Sequence, residues 1–153
     1  MPPIQYRKAI ASDIPLLTEF NICLALESQQ LKLDPAITRK GVESVIHDGE
    51  KGFYLLAENA NTTLASLLIT SEWSDWRNGF FWWLQSVYVR EGYRRQGVFT
   101  TMMQEIRKLA AAAPGVIGIR LYVDQDNQPA LKTYLKSGFT KSSYLIMELG
   151  HKP

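Results

Sequence analysis

The sequence predicts an α+β fold with a mixed, mainly antiparallel sheet flanked by helices. Two observations carry this prediction. Three β-rich segments follow one another between residues 52 and 89, separated only by short turns, which indicates an antiparallel meander. After residue 97, helical and strand patterns alternate, as they do when a strand joins a sheet through a helical crossover. The predicted element order is β-α-α-β-β-β-α-β-α-β, within a single domain over residues 1–153.

The first part of the chain predicts one strand followed by two helices. Ile4–Ala9 alternates apolar and polar residues and reads as a strand. Ser12 or Asp13 is suited to cap the helix that follows. Its apolar face has helical spacing, with Ile14, Leu17, Phe20 and Leu24. The polar stretch Glu27–Asp34 predicts a loop, and Pro35–His47 a second helix.

The meander is predicted from β propensity and turn residues. Gly52–Glu58 and Leu64–Trp73 read as strands joined by the hairpin turn Asn59–Thr62. Ser74–Gly79 is the next turn. The aromatic and β-branched segment Phe80–Val89 then forms a long strand.

The last part of the chain predicts two crossover units. Gly97–Ala113 reads as a helix closed by a Pro-Gly pair. Val116–Val123 is almost continuously apolar, as a strand covered on both faces would be. Asn127–Ser137 predicts a short helix with a proline near its start and a glycine just past its end. Phe139–Leu149 predicts the final strand.

Composition narrows the class of protein. The chain has 153 residues, 46% of them hydrophobic, and a formal net charge of +2. This charge is too small to indicate a nucleic-acid-binding protein. The single Cys23 and the isolated His47 and His151 predict neither an internal disulfide nor a metal site. The N-terminus does not resemble a signal peptide, and no apolar run reaches the ~18 residues of a membrane span. We therefore expect a cytoplasmic protein without membrane attachment.

The most informative segment runs from the end of the third meander strand into the next helix. Arg90, Arg94 and Arg95 surround a turn that contains Gly97. A helix N-terminus presents main-chain N–H groups and the positive end of the helix dipole. Together with the arginines, it predicts a phosphate-binding corner. The turn matches neither the G-x-x-x-x-G-K-[ST] motif of P-loop proteins nor the G-x-G-x-x-G dinucleotide fingerprint. A solvated basic turn is the alternative interpretation.

Two motifs give the chain a family resemblance. Arg94, Gln96, Gly97 and Val98 stand in the order of the R/Q-x-x-G-x-G/A pyrophosphate signature of GNAT-type N-acetyltransferases, with Phe99 in place of the final small residue.

The second motif lies about 30 residues further along the chain. Asn127, Ala130, Tyr134 and the pair Gly138-Phe139 match the family's N-x-x-A-x-x-x-Y-x-x-x-G-F helix. Both motifs together make the chain resemble this family from about Ile4 to Leu149.

The resemblance implies transfer of an acetyl group from acetyl-CoA, without a metal, to a primary amine of a small molecule or of a peptide or protein. The Ser86–Val89 strand edge and the start of the following helix would hold the coenzyme. Tyr134 would protonate the departing thiolate. The residues expected at the coenzyme are Val87, Val89, Arg94, Arg95, Gln96, Gly97, Val98, Phe99, Thr100, Asn127 and Tyr134.

The acceptor side stays open in several respects. Either Glu72 or Glu27 would bind the cationic amine or act as base. Trp73 and Trp76 predict an acceptor-site lid or an interface. If Trp82 is exposed, it indicates a homodimer contact. The alternative to an enzyme is a non-catalytic acyl-CoA-binding or regulatory module with the same phosphate cradle.

Overall fold

The computed structural model describes residues 2–150, which form two compact units that divide after Tyr122. The first unit contains five strands and three helices. Its elements are β1 (Gln5–Lys8), α1 (Ile14–Gln29), α2 (Pro35–His47), β2 (Phe53–Asn59), β3 (Thr62–Ser74), β4 (Gly79–Val89), α3 (Val98–Ala112) and β5 (Val116–Arg120). The second unit contains α4 (Gln128–Lys136).

The sheet confirms the predicted mixed and mainly antiparallel architecture. Its five strands lie in the order β1-β2-β3-β4-β5. The first four pair antiparallel, and β5 joins β4 in parallel after the α3 crossover. Sequence order equals spatial order, because each connection is either a short turn or a helix that returns to the neighbouring position.

Helices cover both faces of this sheet. Leu17 of α1 and Val42 of α2 pack with Leu56 of β2 in one buried cluster. Leu55 and Leu67, at alternating positions, point to the opposite face and are also buried. The helix α3 packs against β3, β4 and β5 and buries a stripe of side chains. The stripe consists of Val98, Met102, Met103 and Ile106.

One strand pair is incomplete in a way that matters for function. The parallel pairing of β4 with β5 runs only from Phe80 to Trp83, whose partner is Arg120. Strand β4 continues to Val89 with β3 as its only paired neighbour among residues 2–150. A bulge interrupts this second half, because β3 advances from Ser66 to Leu68 while β4 advances by three residues.

Two predicted element boundaries and one predicted strand need correction. Glu27 was expected in a loop, but α1 extends to Gln29 and places Glu27 in its last turn, where local polarity is outweighed by helix propagation. Strand β5 ends at Arg120 and not at Val123. The strand expected over Phe139–Leu149 is not formed by the described residues, since a strand requires main-chain pairing and not only strand-like composition.

Trp82 is buried and not open to solvent. Its exposed fraction is 8%, and its ring packs edge-on against Phe53 at 5.6 Å between centroids. The argument for a homodimer through an exposed Trp82 is therefore removed. Trp76 is 85% exposed in the β3–β4 turn.

A partly buried ion cluster joins the start of α1 to the sheet. Arg7 of β1 donates to both oxygens of Asp13 at 2.8 and 2.9 Å and to Glu58 of β2 at 2.7 and 3.0 Å. Asp13 also accepts from the Ile10 N–H at 2.7 Å. The hydrogen bonds from Arg7 are the main cause that holds the pKa of Asp13 below its usual range. A bidentate pair of this kind fixes orientation as well as charge.

We predict that Asp13→Asn lowers the free energy of unfolding at pH 7 by about 1–2 kcal/mol, a range reduced for the partial exposure of Arg7. A carboxyl whose folded pKa is lowered stabilises the fold above its unfolded pKa of about 3.9, and this contribution is lost as pH falls through the folded value.

Urea unfolding at pH 7 and pH 3 measures both effects. The difference from wild type should shrink at pH 3, whereas the control Glu105→Gln, at an exposed i,i+3 pair, should change little at either pH. An equal loss at both pH values would contradict the prediction.

Candidate functional site

The turn between β4 and α3 has a special main-chain geometry. A short 3₁₀ turn over Glu91–Tyr93 leads into it. Arg95 has φ +60° and Gly97 has φ +81°, so two residues lie in the left-handed region within one turn. Gly97 is the N-cap residue of α3. Glycine adopts this conformation without the steric cost of a Cβ.

The start of α3 differs from the starts of α2 and α4. The Asp34 carboxylate accepts from the first-turn N–H groups of α2, and the Asn127 side chain accepts from the Ala130 N–H at 3.2 Å in α4. Gly97 has no side chain with which to do the same. The first N–H groups of α3 therefore face the outside of the turn without a residue at the N-cap that could accept from them, which suits a bound anion.

No protein atom crowds the Cα of Gly97 on the side where a side chain would project. A Cβ built on Gly97 would meet no atom within 4 Å. Val98 is buried and anchors the first turn of α3 in the core, while Thr100 is exposed. Phe99 is partly buried. The core therefore anchors the start of α3 through Val98, while Gly97 and Thr100 beside it are exposed.

The basic side chains of the turn have different roles in the structure. Arg95 is exposed. Gln96 donates from Nε2 to the Gly92 carbonyl at 2.8 Å and so closes the turn on itself. Arg94 points back to the sheet, where its Nε donates to the Val89 carbonyl at 2.8 Å. The predicted phosphate-binding residues therefore lie together, but their side chains do not all face one point.

The free side of β4 ends at this same turn. The Arg90 N–H donates to the Leu64 carbonyl of β3 at 2.9 Å. Main-chain groups alternate between the two sides of a regular strand, so those of Val89 point away from β3. The bulge residue Ser86 has φ +51°. This edge presents hydrogen-bonding groups to an extended ligand.

Glu27 and Arg94 are two predicted site residues that the structure brings into direct contact. Arg94 Nη2 donates to Glu27 Oε2 at 2.6 Å, although the two residues lie 67 positions apart. The guanidinium carbon of Arg94 lies 5.4 Å from the centre of the Tyr88 ring. Tyr88 itself donates to Glu27 Oε1 over a long 3.5 Å, and burial is the main cause that raises the pKa of its hydroxyl.

Glu72 belongs to a separate cluster on the sheet. Its Oε1 accepts from Trp83 Nε1 at 3.2 Å and from Arg120 Nη1 at 2.9 Å. The Arg120 guanidinium carbon lies 3.5 Å from the centre of the Phe81 ring. Trp83 also contacts Tyr122, with 5.8 Å between ring centroids. The carboxylate is 47% exposed, so it remains accessible to a ligand.

The second unit carries the two remaining predicted residues. Asn127 uses its Oδ1 as the cap of α4, so the side-chain amide N–H groups are the donors that the cap does not use. Tyr134 lies on α4, and its ring packs edge-on against Phe139 at 5.9 Å. Burial raises the pKa of the Tyr134 hydroxyl above its ordinary value near 10, so the phenol keeps its proton through the neutral range.

The sequence did not single out Tyr88 or Arg120, which the structure places against Glu27 and Glu72. Strand alternation assigns each to a face, but the partner on that face comes from a distant part of the chain. Among residues 2–150, no group of three or more His, Cys, Asp and Glu side chains is arranged to hold a metal ion. No helix in this range has the length and apolar character needed to cross a membrane.

Comparison with known proteins identifies the family to which this chain is similar. The model of the acetyltransferase (GNAT) family matches residues 19–139. A crystal structure of a possible acetyltransferase from Clostridium difficile 630 is 35% identical, covers 98% of this chain and 99% of its own, and superposes with a TM-score of 0.93.

More distant solved structures share the fold. A predicted acetyltransferase from Clostridium acetobutylicum, solved with acetyl-CoA, is 19% identical with a TM-score of 0.74, over 97% of this chain and 96% of that one. An aminoglycoside acetyltransferase from an uncultured soil metagenomic sample, solved with sisomicin, is 12% identical with a TM-score of 0.75, over 98% and 97% of the two chains.

A search among curated proteins found no match. The match of the family model to most of the chain, with the 35% identical structure, is sufficient to assign the family. The chain belongs to the GNAT acetyltransferase family and is an acyltransferase.

Proposed function

We propose that this protein transfers the acetyl group of acetyl-CoA to a primary amine, on a small molecule or on a peptide or protein, by direct attack within a ternary complex. The observation that carries the proposal is one corner of the molecule. There the glycine-capped start of α3 lies next to the open edge of β4. The family uses acetyl-CoA as acetyl donor, and the two features match two adjacent parts of that molecule, the pyrophosphate and the pantetheine arm.

The chain's groups fit acetyl-CoA in a defined way. The first N–H groups of α3, from Gln96 to Thr100, are proposed to hold the pyrophosphate, with Arg95 adding charge. The open edge of β4 at Val87 and Val89 is proposed to pair with the amide groups of the pantetheine arm. The Val89 carbonyl already accepts from Arg94, which leaves the Val89 N–H and the Val87 carbonyl for this role. Asn127 is proposed as a further donor.

The reaction needs one donor for an oxygen and one for a sulfur. The Val87 N–H is proposed to stabilise the negative charge that develops on the thioester oxygen when the amine attacks. Tyr134 is proposed to give its proton to the departing thiolate. Its raised pKa supports this role, because burial keeps the hydroxyl protonated to a higher pH than an exposed phenol, where more of the amine is neutral.

Glu72 is the carboxylate proposed for the acceptor side. Its Oε1 is engaged by Trp83 and Arg120, which fixes the side chain while half of its surface stays exposed. A carboxylate held in this way can accept from a cationic amine through its second oxygen or take its proton through water. The neighbouring rings of Trp83 and Tyr122 add faces on which a cation is favourable.

We expect the protein to release free thiol from acetyl-CoA only when a suitable primary amine is present. The assay follows thiol release with acetyl-CoA and a panel of diamines, aminoglycosides, amino acids and peptides with free amino groups. Amine-dependent release with stoichiometric acetylated product supports the enzyme. Tight coenzyme binding without turnover across the panel would instead identify a non-catalytic acyl-CoA-binding module.

We predict that Gly97→Val weakens acetyl-CoA binding at least about tenfold. A β-branched residue is disfavoured at φ +81°, and loss of even one hydrogen bond to a charged phosphate costs about 1.5–3 kcal/mol. Isothermal titration calorimetry measures the change, with thermal unfolding as the check on folding. Gly92→Ala is the matched control, because a Cβ there meets nothing within 4 Å and the residue has no positive φ. Unchanged affinity in a folded Gly97→Val variant would remove α3 from the coenzyme site.

The acid and acceptor roles predict separate kinetic signatures. Tyr134→Phe should lower kcat by about 10²-fold with little change in the KM of acetyl-CoA, because it removes a proton donor and keeps the ring. Glu72→Gln should raise the KM of the amine and change the shape of the pH–rate profile. Steady-state kinetics from pH 6 to 10 test both variants. Wild-type kcat in Tyr134→Phe, or a wild-type profile in Glu72→Gln, would exclude the corresponding role.

A further inference from the structure

We infer that Glu27 and Arg94 form a brace that positions the coenzyme turn, and that Glu27 serves the acetyl-CoA side of the reaction and not the deprotonation of the amine. This inference rests on the proposed function. It assigns both residues as positioning residues, which act through the main chain of β4 and the turn. The Glu27–Arg94 brace designates this ion pair together with the bond from Arg94 to the Val89 carbonyl.

The contacts of Arg94 are directed into the protein. Its Nε donates to the Val89 carbonyl at 2.8 Å and its Nη2 to Glu27 at 2.6 Å. The guanidinium carbon lies over the Tyr88 ring, 5.4 Å from its centroid. The donors of a guanidinium lie in one rigid plane. Two hydrogen bonds to protein acceptors therefore fix the orientation of the whole group. These contacts are those of a side chain that links two parts of the protein, and not of one that is directed towards a phosphate.

The brace joins elements that are distant in the sequence. Glu27 lies in the last turn of α1, and Arg94 opens the turn into α3. Aromatic packing supports the same junction, since Phe20 of α1 contacts Tyr88 of β4 at 4.8 Å between centroids. The Arg90 guanidinium carbon lies over the Phe20 ring, 5.1 Å from its centroid. The end of α1 and the end of β4 are thus held against each other by tilted aromatic rings and by the guanidinium groups that lie over them.

The brace acts where the proposed function needs accuracy. The carbonyl that Arg94 holds lies on the side of β4 that faces away from β3, and this is the edge offered to the pantetheine arm. By engaging that carbonyl, Arg94 determines which main-chain groups remain for the ligand. It also fixes the entry into the turn that ends at Gly97. A displacement of this entry would move the α3 donors relative to β4, and hydrogen bonds from displaced donors to a bound pyrophosphate would weaken.

The same contacts remove Glu27 from the acceptor side. One carboxylate oxygen accepts from Arg94, and the other faces the Tyr88 hydroxyl. Glu72, in contrast, has one oxygen for its two protein donors and a half-exposed side chain. The two carboxylates that the sequence left as alternatives therefore divide between two tasks.

The brace is too exposed to be a major source of global stability. Glu27 and Arg94 are 43% and 38% exposed, and partly exposed pairs contribute little to unfolding. We therefore expect Glu27→Gln to leave the melting temperature nearly unchanged while it weakens coenzyme binding. This difference separates positioning from simple structural support.

A double-mutant cycle tests the brace in the full chain. The variants are Glu27→Gln, Arg94→Gln and the double variant, with Glu43→Gln as the control, which removes the carboxylate of the i,i+4 pair with Arg39. Acetyl-CoA affinity is measured by calorimetry, and kcat and both KM values are measured over pH 6–10. We expect each single variant to raise the Kd and KM of acetyl-CoA about threefold to tenfold, with kcat and the shape of the pH profile kept. The double variant should be no worse than the worse single variant, because both changes remove the same brace.

Arg94→Lys separates the brace from a phosphate contact. Lysine keeps the charge but lacks the planar fork, so we expect it to behave like Arg94→Gln. Retained affinity in Arg94→Lys would overturn the inference, since it would assign Arg94 as a point charge on phosphate. Additive losses in the cycle, or a pH–rate profile altered by Glu27→Gln at unchanged acetyl-CoA affinity, would also overturn it. Absence of acetyl-CoA binding in the wild type would overturn the proposed function and the brace together.

Discussion

The structure depends on one constraint: β4 is a longer strand than β5, so that only the first part of β4 pairs with β5. Main-chain N–H and C=O groups require partners. Beyond Trp83, β4 has a paired strand on one side only among the described residues. At its far end the chain turns directly into α3, whose N-cap is a glycine without a capping side chain. The side of β4 that pairs with no strand among the described residues and the glycine-capped start of α3 therefore lie at the same end of the sheet.

This arrangement explains why the proposed coenzyme site relies on main-chain groups. The bulge at Ser86 and the left-handed residues Arg95 and Gly97 set the direction of N–H and C=O groups. Main-chain donors fixed by a sheet and a helix lose little freedom when a ligand binds, whereas long basic side chains lose much more. The buried stripe of α3 that begins at Val98 holds the donors in place from the core side.

The charged side chains of the site are mostly paired within the protein. Arg94 pairs with Glu27 and Arg120 with Glu72, in agreement with a net charge of only +2. The pairs act as fixed points between elements that are far apart in the chain, much as the Arg7 cluster links β1 and β2 to the start of α1. Charge in this molecule therefore orients neighbouring elements more than it creates a basic surface.

The sequence by itself determined the element order from β1 to α4, the hairpin turns and the glycine-capped start of α3. These features follow from local periodicity and from the φ angles that particular residues permit. It also determined the family, through the motifs around Gly97 and Tyr134. It failed for the segment 139–149, where strand-like composition was taken to imply a paired strand.

Only the tertiary structure decided which side chains meet. Glu27 reaches Arg94 across 67 positions, and Glu72 reaches Arg120 across 48. A strand or helix period assigns a side chain to a face, but its partner on that face depends on the packing of another element and on strand register. The early end of β5 and the bulge in β4 belong to the same category, because both result from pairing between strands and not from the residues of one strand.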